Sequence, residues 1–557
     1  MRGRLPDIAG GLAVTLPVLL FAVGPVVFLV AKSLLLLDES ALAELWSAEN
    51  RSAILNTVTT STGAALFSLA VGLPLSVLLF RTDLPGRKVL AALFTLPSAI
   101  PPFIWGMGWV SLANPRAGFL NRLFGEGVID IYGGFGIAFV LGSAGLPLVV
   151  LTGGAALSRL DPSLEEAARL FGAGPLRALA SVSVPLALPS FLSGAVLVFL
   201  FAASAFGVPY LLGVTASPPT QVLTTRIYGQ VLLGGEQNLA RALALSAVLL
   251  ALASALLLLN QLLGRTGRVK LAAGKGVPKR RMPLHTWRAP LCALAFAAAA
   301  LLVVLPLVAV FLTSVQRSFG APLSLESFTF AHWGTVLASP RTLSAAARSL
   351  WLAAAAAALV CLFGLGVALA RKHLGRAGRM VETLAAWPYA VPGTVLAIAL
   401  LATFSRDLRL VLWERVALVL ALGNSAWMLL VAYAGKHLVL GGRNLSESLS
   451  QVDPSLAEAA RVFGAPRARA FFDATLPLLR PAAVSAFVLA FLSCATELTM
   501  SVLLVPTGQD VLGTLLFELQ TYADPASAAV LACAFVVLVL GATGALALVR
   551  HREARVG

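Results

Sequence analysis

Long apolar runs alternate with short polar interruptions down the whole chain. Each run is about 20 residues, enough to cross a hydrocarbon core as a helix. They predict six spans in the first half, near 10–32, 53–80, 89–113, 133–157, 186–213 and 240–263. Six more follow near 290–314, 347–370, 382–405, 415–438, 478–505 and 526–549. The expected fold class is an all-α polytopic membrane protein with twelve transmembrane helices. Its first run, from about Ile8 to Ala31, follows Met1-Arg2-Gly3-Arg4 as in a secretory leader. It is too long for a leader's apolar region and reads as a retained first span.

Two polar islands stand out against this pattern. Asp161-Pro162-Ser163-Leu164-Glu165-Glu166-Ala167-Ala168-Arg169-Leu170-Phe171-Gly172 is followed by Pro185. Asp453-Pro454-Ser455-Leu456-Ala457-Glu458-Ala459-Ala460-Arg461-Val462-Phe463-Gly464 is followed by Pro477, 292 residues later. Each predicts a helix of about ten residues, roughly 15 Å and too short to span. Its start is either a capping box (Ser163 with Glu166, Ser455 with Glu458) or an Asp cap with proline in the first helical position (Asp161-Pro162, Asp453-Pro454). Gly172 and Gly464 are the expected stops. Leu164, Ala168 and Phe171 share one face, as do Leu456, Ala460 and Phe463. A surface helix packed on its own domain is the plain reading. Preservation of both the face and the stop in two copies favours a docking knob.

Other landmarks share nearly the same offset. Pro97 and Pro101 correspond to Pro388 and Pro392, and Pro185 and Pro189 to Pro477 and Pro481. The halves are therefore repeats. An even number of spans per repeat makes them parallel, related by a pseudo-two-fold axis along the membrane normal. Both islands then face one side and suit a two-fold partner. The expected organisation is a first repeat over 1–264 with its island loop at 158–185. A basic linker follows over 265–289, then a second repeat over 290–557 with its island loop at 439–477.

Composition agrees: 59% of the 557 residues are hydrophobic and 12% charged, against about 25% charged in soluble domains. The net charge of +16 follows the positive-inside rule. With both termini in the cytoplasm, about 29 of the 41 Lys and Arg residues lie inside. Arg406, Arg409 and Arg415 are exceptions. Nucleic-acid binding is not needed to explain the charge. Cys292, Cys361, Cys494 and Cys533 are scattered through apolar segments without metal or disulfide spacing and read as small buried hydrophobes. Gly274-Lys275-Gly276 lacks the spacing of a phosphate-binding loop, and no catalytic constellation stands out. The chain is expected to be no enzyme and to bind no cofactor or metal of its own.

A path between the repeats is expected near the pseudo-axis, lined by Pro97, Pro101, Ser204, Pro388, Pro392, Thr496, Glu497 and Thr499. Glu497 is a carboxylate within an apolar run, a functional candidate by default. The alternative places it at the outer face, in water or against a partner. Its counterpart lies near Ala205, so the path is expected to be asymmetric.

The islands carry a family resemblance. Glu166-Ala167-Ala168, Gly172 and Pro185, and again Glu458-Ala459-Ala460, Gly464 and Pro477, resemble the EAA loop of ABC importer permeases. The resemblance implies two fused permease units of the type I importer fold in the cell inner membrane. It implies that Glu166, Ala167, Ala168 and Gly172, with Glu458, Ala459, Ala460 and Gly464, couple to homodimeric ABC ATPase subunits. ATP and Mg would be bound there, and a solute-binding protein would dock on the outer side. Val222-Leu223-Thr224-Thr225-Arg226-Ile227-Tyr228, Thr475-Leu476-Pro477-Leu478-Leu479-Arg480-Pro481 and Glu497-Leu498-Thr499 are similar to the iron(III) permease family, although that family often has Glu-Leu-Pro at the last site. Thiamine and aminoethylphosphonate permeases look similar too. Rivals from other classes are a major-facilitator-type secondary transporter, whose signature between spans two and three is not found in Arg81–Lys88, and a membrane scaffold.

Overall fold

The computed structural model describes Leu20 and residues 23–35, 44–266, 281–322, 324–404, 408–412, 415–420, 422–522 and 524–556. The start of the first predicted run, most of the basic linker including Gly274-Lys275-Gly276, and Arg406 lie outside the described residues.

The first repeat runs α1 (Gly24–Leu35), α2 (Ala48–Arg81), α3 (Arg87–Thr95), α4 (Pro102–Ala113), α5 (Gly134–Arg159), α6 (Pro162–Leu170), α7 (Pro175–Ser204), α8 (Leu223–Leu233) and α9 (Gly235–Thr266). The second runs α10 (His285–Ser314), α11 (Pro340–His373), α12 (Arg376–Ala390), α13 (Gly393–Thr403), a hairpin of β1 (Leu408–Leu412) and β2 (Arg415–Leu420), α14 (Ala426–Gln451), α15 (Pro454–Val462), α16 (Arg467–Ala495), α17 (Thr499–Leu504), α18 (Leu512–Tyr522) and α19 (Pro525–Val556). The offset of 292 holds in three dimensions. Ala48 and Pro340 start α2 and α11, Gly134 and Ala426 start α5 and α14, and Pro162 and Pro454 start the island helices. Each repeat is built on the same parallel pair, α2 against α5 and α11 against α14.

Eight described helices are long and apolar enough to cross a membrane, and ten when each of two bent pairs counts as one. The predicted first and tenth spans are not among them. Only the twelve residues of α1 are described in the first run. In α14 the apolar character is diluted by Lys436, His437 and Arg443. The tenth span also starts later than the expected 415, because Arg415–Leu420 pairs antiparallel with Leu408–Leu412. Its Val- and Leu-rich residues suit a strand as well as a helix.

The bent pairs are α3/α4, at 104°, and α12/α13, at 105°. Both bends fall at the expected prolines. Pro101 and Pro392 hold extended backbone, with φ near −53° and −52°. Proline supplies no amide hydrogen and disfavours helix in the residue before it. The expected fifth and eleventh spans, 186–213 and 478–505, also break, at Ala205 and at Thr496–Leu498. A π-turn precedes Pro185 (Leu179–Ser183) and Pro477 (Phe471–Thr475), a local widening that accommodates the missing donor.

The repeats exchange their first helices. α1 packs on α13, and α10 packs on α4 and α19. A buried hydrogen bond of 2.9 Å from Thr313 to Ser111 fixes the latter contact. A Cβ on Gly108 would stand 2.5 Å from the Pro306 carbonyl oxygen, so glycine is what lets α4 approach α10.

Candidate functional site

The candidate residues gather in two places, one at the end carrying α6 and α15 and one inside the bundle. At the first, the open choice between caps is settled for aspartate. Asp161 Oδ1 accepts from the Ser163 amide and Asp453 Oδ1 from the Ser455 amide, each at 2.9 Å. The same bonds hold both carboxyls below their usual range. At the other end Gly172 and Gly464 take left-handed backbone, φ 86° and 88°. The amides of Ala173 and Ala465 return to the Ala168 and Ala460 carbonyls at 3.1 Å, closing a Schellman turn.

No residue of α6 or α15 is buried. Glu166, Ala167, Glu458 and Ala459 are exposed, and Ala168 and Ala460 half-buried. Phe171 and Phe463 are 93% and 91% exposed, where a soluble surface keeps few such rings. Sequence reasoning missed one asymmetry. Glu165 accepts hydrogen bonds from Arg81, at the end of α2, and from the Ser183 hydroxyl. The position equivalent to Glu165 in α15 is Ala457.

The second place is a cavity of about 440 Å3 on which four helix breaks converge, two from each repeat. Pro101, Ser204, Pro392, Thr496, Glu497 and Thr499 line it. Pro97 and Pro388 are buried in the turns leading into the breaks and are not among the lining residues. Glu497 therefore lies within the bundle. Its Oε2 accepts from the Met500 amide at 2.8 Å and the Ser501 amide at 3.3 Å, capping α17. Tyr433 and Ser501 extend this network with a hydroxyl contact of 2.7 Å. Ala205, the counterpart of Glu497, also lines the cavity.

Lys436 and His437 line the same wall. Lys436 Nζ lies 2.8 Å from where a Cβ on Gly393 would stand, so its head rests on the α12/α13 break. It lies within electrostatic reach of Glu497 but outside ion-pair contact. Both ring nitrogens of buried His437, and the buried Thr394 hydroxyl, lack a hydrogen-bond partner. Unpaired buried polar atoms are costly, and in a polar cavity they are where a ligand or water binds. The signal was present in the sequence as adjacent basic residues in an apolar run. The expected span put them at its end, whereas the later start of α14 puts them near its middle.

Phe103 and Phe206 line the cavity and belong to an aromatic cluster with Tyr210, Tyr228, Phe517 and Tyr522. Following α7 from the island end, Leu197, Ser204 and then Phe206 line the cavity, and Tyr210 comes after it. Phe517 of the second repeat sits 5.7 Å from Phe206 and 4.9 Å from Tyr210, centroid to centroid.

Residues 68–268 and 361–556 match the family described as binding-protein-dependent transport system inner membrane component. The chain belongs to this family. It does so as two fused units and is a permease subunit of an ABC importer, a kind of subunit not itself catalytic. It is 32% identical over 227 residues to the molybdenum transport system permease protein ModB of Escherichia coli (strain K12), covering 39% of this chain and 94% of that protein. It is 26% identical over 516 residues to the probable ABC transporter permease protein y4fN of Sinorhizobium fredii, covering 90% of this chain and 87% of that protein. The sulfate transport system permease protein CysT of Salmonella typhimurium is 32% identical over 208 residues, 37% of this chain and 73% of that protein. One permease of the ModB kind thus corresponds to about one unit of this chain. The secondary-transporter and scaffold readings give way to the permease family.

Proposed function

We propose that the two units form one solute pathway of twelve spans through the cell inner membrane, α1 and α14 included. Both termini and both island helices lie in the cytoplasm, where α6 and α15 seat in a homodimeric ABC ATPase that binds ATP and Mg. Glu166, Ala167, Ala168 and Gly172, with Glu458, Ala459, Ala460 and Gly464, form the coupling elements, and a solute-binding protein docks at the opposite end. The observation that carries this reading is the pair of exposed rings, Phe171 and Phe463, on two short helices 292 residues apart. Burying a phenylalanine in a partner groove contributes about 1.5–3 kcal/mol. The aromatic cluster closes the path at the outer end, leaving the cavity as the resting place of the solute.

The imported solute is a small oxyanion of the molybdate or sulfate kind. The names of the relatives support this, and so does the cavity wall. The Glu497 carboxylate is engaged by two amides, whereas the Lys436 head and the His437 ring face the lumen without an ion-pair or hydrogen-bond partner among the described residues. The second reading is iron(III), favoured by the likeness of Val222–Tyr228 and Glu497–Thr499 to that family and by Glu497 in the wall. Thiamine and aminoethylphosphonate are the remaining alternatives. The test is uptake by cells expressing the permease, its ATPase and its binding protein. Radiolabelled molybdate or sulfate is expected to accumulate, and accumulation of iron(III) in their place decides for the second reading.

A further inference from the structure

A second depression, of about 890 Å3, opens at the island end of the first repeat. One wall is the start of α7, with Leu176 and Arg177. The other is the chain re-entering the bundle after the basic linker, with Met282, Leu284, His285 and Trp287. That segment is pinned in place. The Met282 amide donates to the Arg81 carbonyl at 2.9 Å, and the Leu284 amide to Asp83 Oδ1 at 2.9 Å. His285 then takes left-handed backbone, φ 46°, a strained conformation that persists only where its surroundings enforce it.

The groove pairs bare apolar surface with positive charge at its rim. Leu176 is 71% and Trp287 67% exposed. Arg177 stands at the rim, and Arg281 flanks the neighbouring hollow against α6. The guanidinium of Arg281 is within electrostatic reach of Arg87, yet Arg87, Arg177 and Arg281 enter no ion pair among the described residues. Asp83 is engaged by the Leu284 amide and Glu165 by Arg81, while Glu166 shares the hollow of Arg281 with Arg169. The linker sequence adds Arg265, Arg268, Lys270, Lys275, Lys279 and Arg280 and no Asp or Glu. In the second repeat the counterpart of Arg177 is Arg469, which pairs with Asp473 at 3.4 Å, and no linker supplies a second wall.

We infer that this groove binds an anionic phospholipid, its headgroup on Arg177 and Arg281 and its upper acyl chains against Leu176, Met282 and Trp287. Depth favours a lipid over the ATPase. Both walls are the terminal turns of spans, α7 and α10, which is where headgroups and interfacial tryptophans lie. From the proposed function the inference takes only which leaflet supplies the lipid. Retention in detergent does not depend on that orientation or on the solute.

The test is native mass spectrometry of the permease purified with its ATPase and titrated with phosphatidylglycerol or phosphatidylcholine. The wild type is expected to retain phosphatidylglycerol selectively. Arg177→Glu with Arg281→Glu should lower that retention by an order of magnitude or more, and Arg469→Glu should leave it unchanged. Should the double reversal not assemble, Trp287→Ala, which keeps every charge, should still weaken retention. Equal retention of phosphatidylcholine overturns the inference, as does retention indifferent to these substitutions. Displacement by millimolar glycerol phosphate overturns it in favour of a free anion. Efficient crosslinking of a Trp287→Cys variant to the ATPase overturns it in favour of a protein contact.

Discussion

The phenol oxygens of Tyr210 and Tyr522, one from each repeat, stand 2.6 Å apart. A neutral hydrogen bond contributes about 1 kcal/mol, roughly a fivefold bias toward the closed cluster. Tyr210→Phe and Tyr522→Phe are each expected to raise ATP hydrolysis in the absence of binding protein by up to about fivefold. The double variant should match either single one. Additive effects in that cycle would show that the two hydroxyls act separately.

Any side chain at Gly172 or Gly464 must adopt left-handed backbone, at a cost of about 1–2 kcal/mol. Aspartate also puts negative charge where the helix C-terminus disfavours it. Gly172→Asp with Gly464→Asp is expected to cut uptake at least tenfold while insertion stays normal. Uptake and ATPase co-purification from the same membranes check this, and wild-type values in both would remove the islands from coupling.

The Asp caps have a defined pH response. Their ionised forms accept the Ser163 and Ser455 amides, and the carboxyls are held below their usual range. The stabilisation is therefore complete above the ordinary aspartate range and is lost only as pH falls through the lowered folded value. ATPase docking should be flat across neutral pH. Asp161→Asn and Asp453→Asn keep an acceptor and should dock normally, whereas the Ala variants should dock less tightly in a pull-down titration.

The cavity separates charge from structure. Lys436→Met is expected to lower oxyanion uptake several-fold without weakening ATPase docking. Glu497→Gln keeps an acceptor for the Met500 amide, so Glu497→Ala should lower transport more than Glu497→Gln does. Equal losses in the two Glu497 variants would assign its role to charge. Unchanged uptake in Lys436→Met would count against the oxyanion reading.

Much of this was legible in the sequence because it repeats. The islands, the paired prolines and the common offset located both bends and both short helices. The breaks at Ala205 and Thr496–Leu498 were not, since two or three residues hardly alter the apolarity of a 20-residue window. The later start of α14 was hidden because Arg415–Leu420 is apolar enough to read as helix, and this displaced Lys436 and His437 from view. Arg81 and Glu165 are 84 residues apart, a pairing that local pattern does not encode.

That last pairing makes the two grips unequal. Arg81 and Glu165 are largely shielded from water, with side chains 9% and 14% exposed, and severing such a pair costs about 3 kcal/mol. Ala457 offers no carboxylate in return. The ion pair ties α6 to the long rod of α2, a tie that α15 lacks. The two halves of the chain, alike in sequence and offset, therefore hold their exposed helices with different firmness.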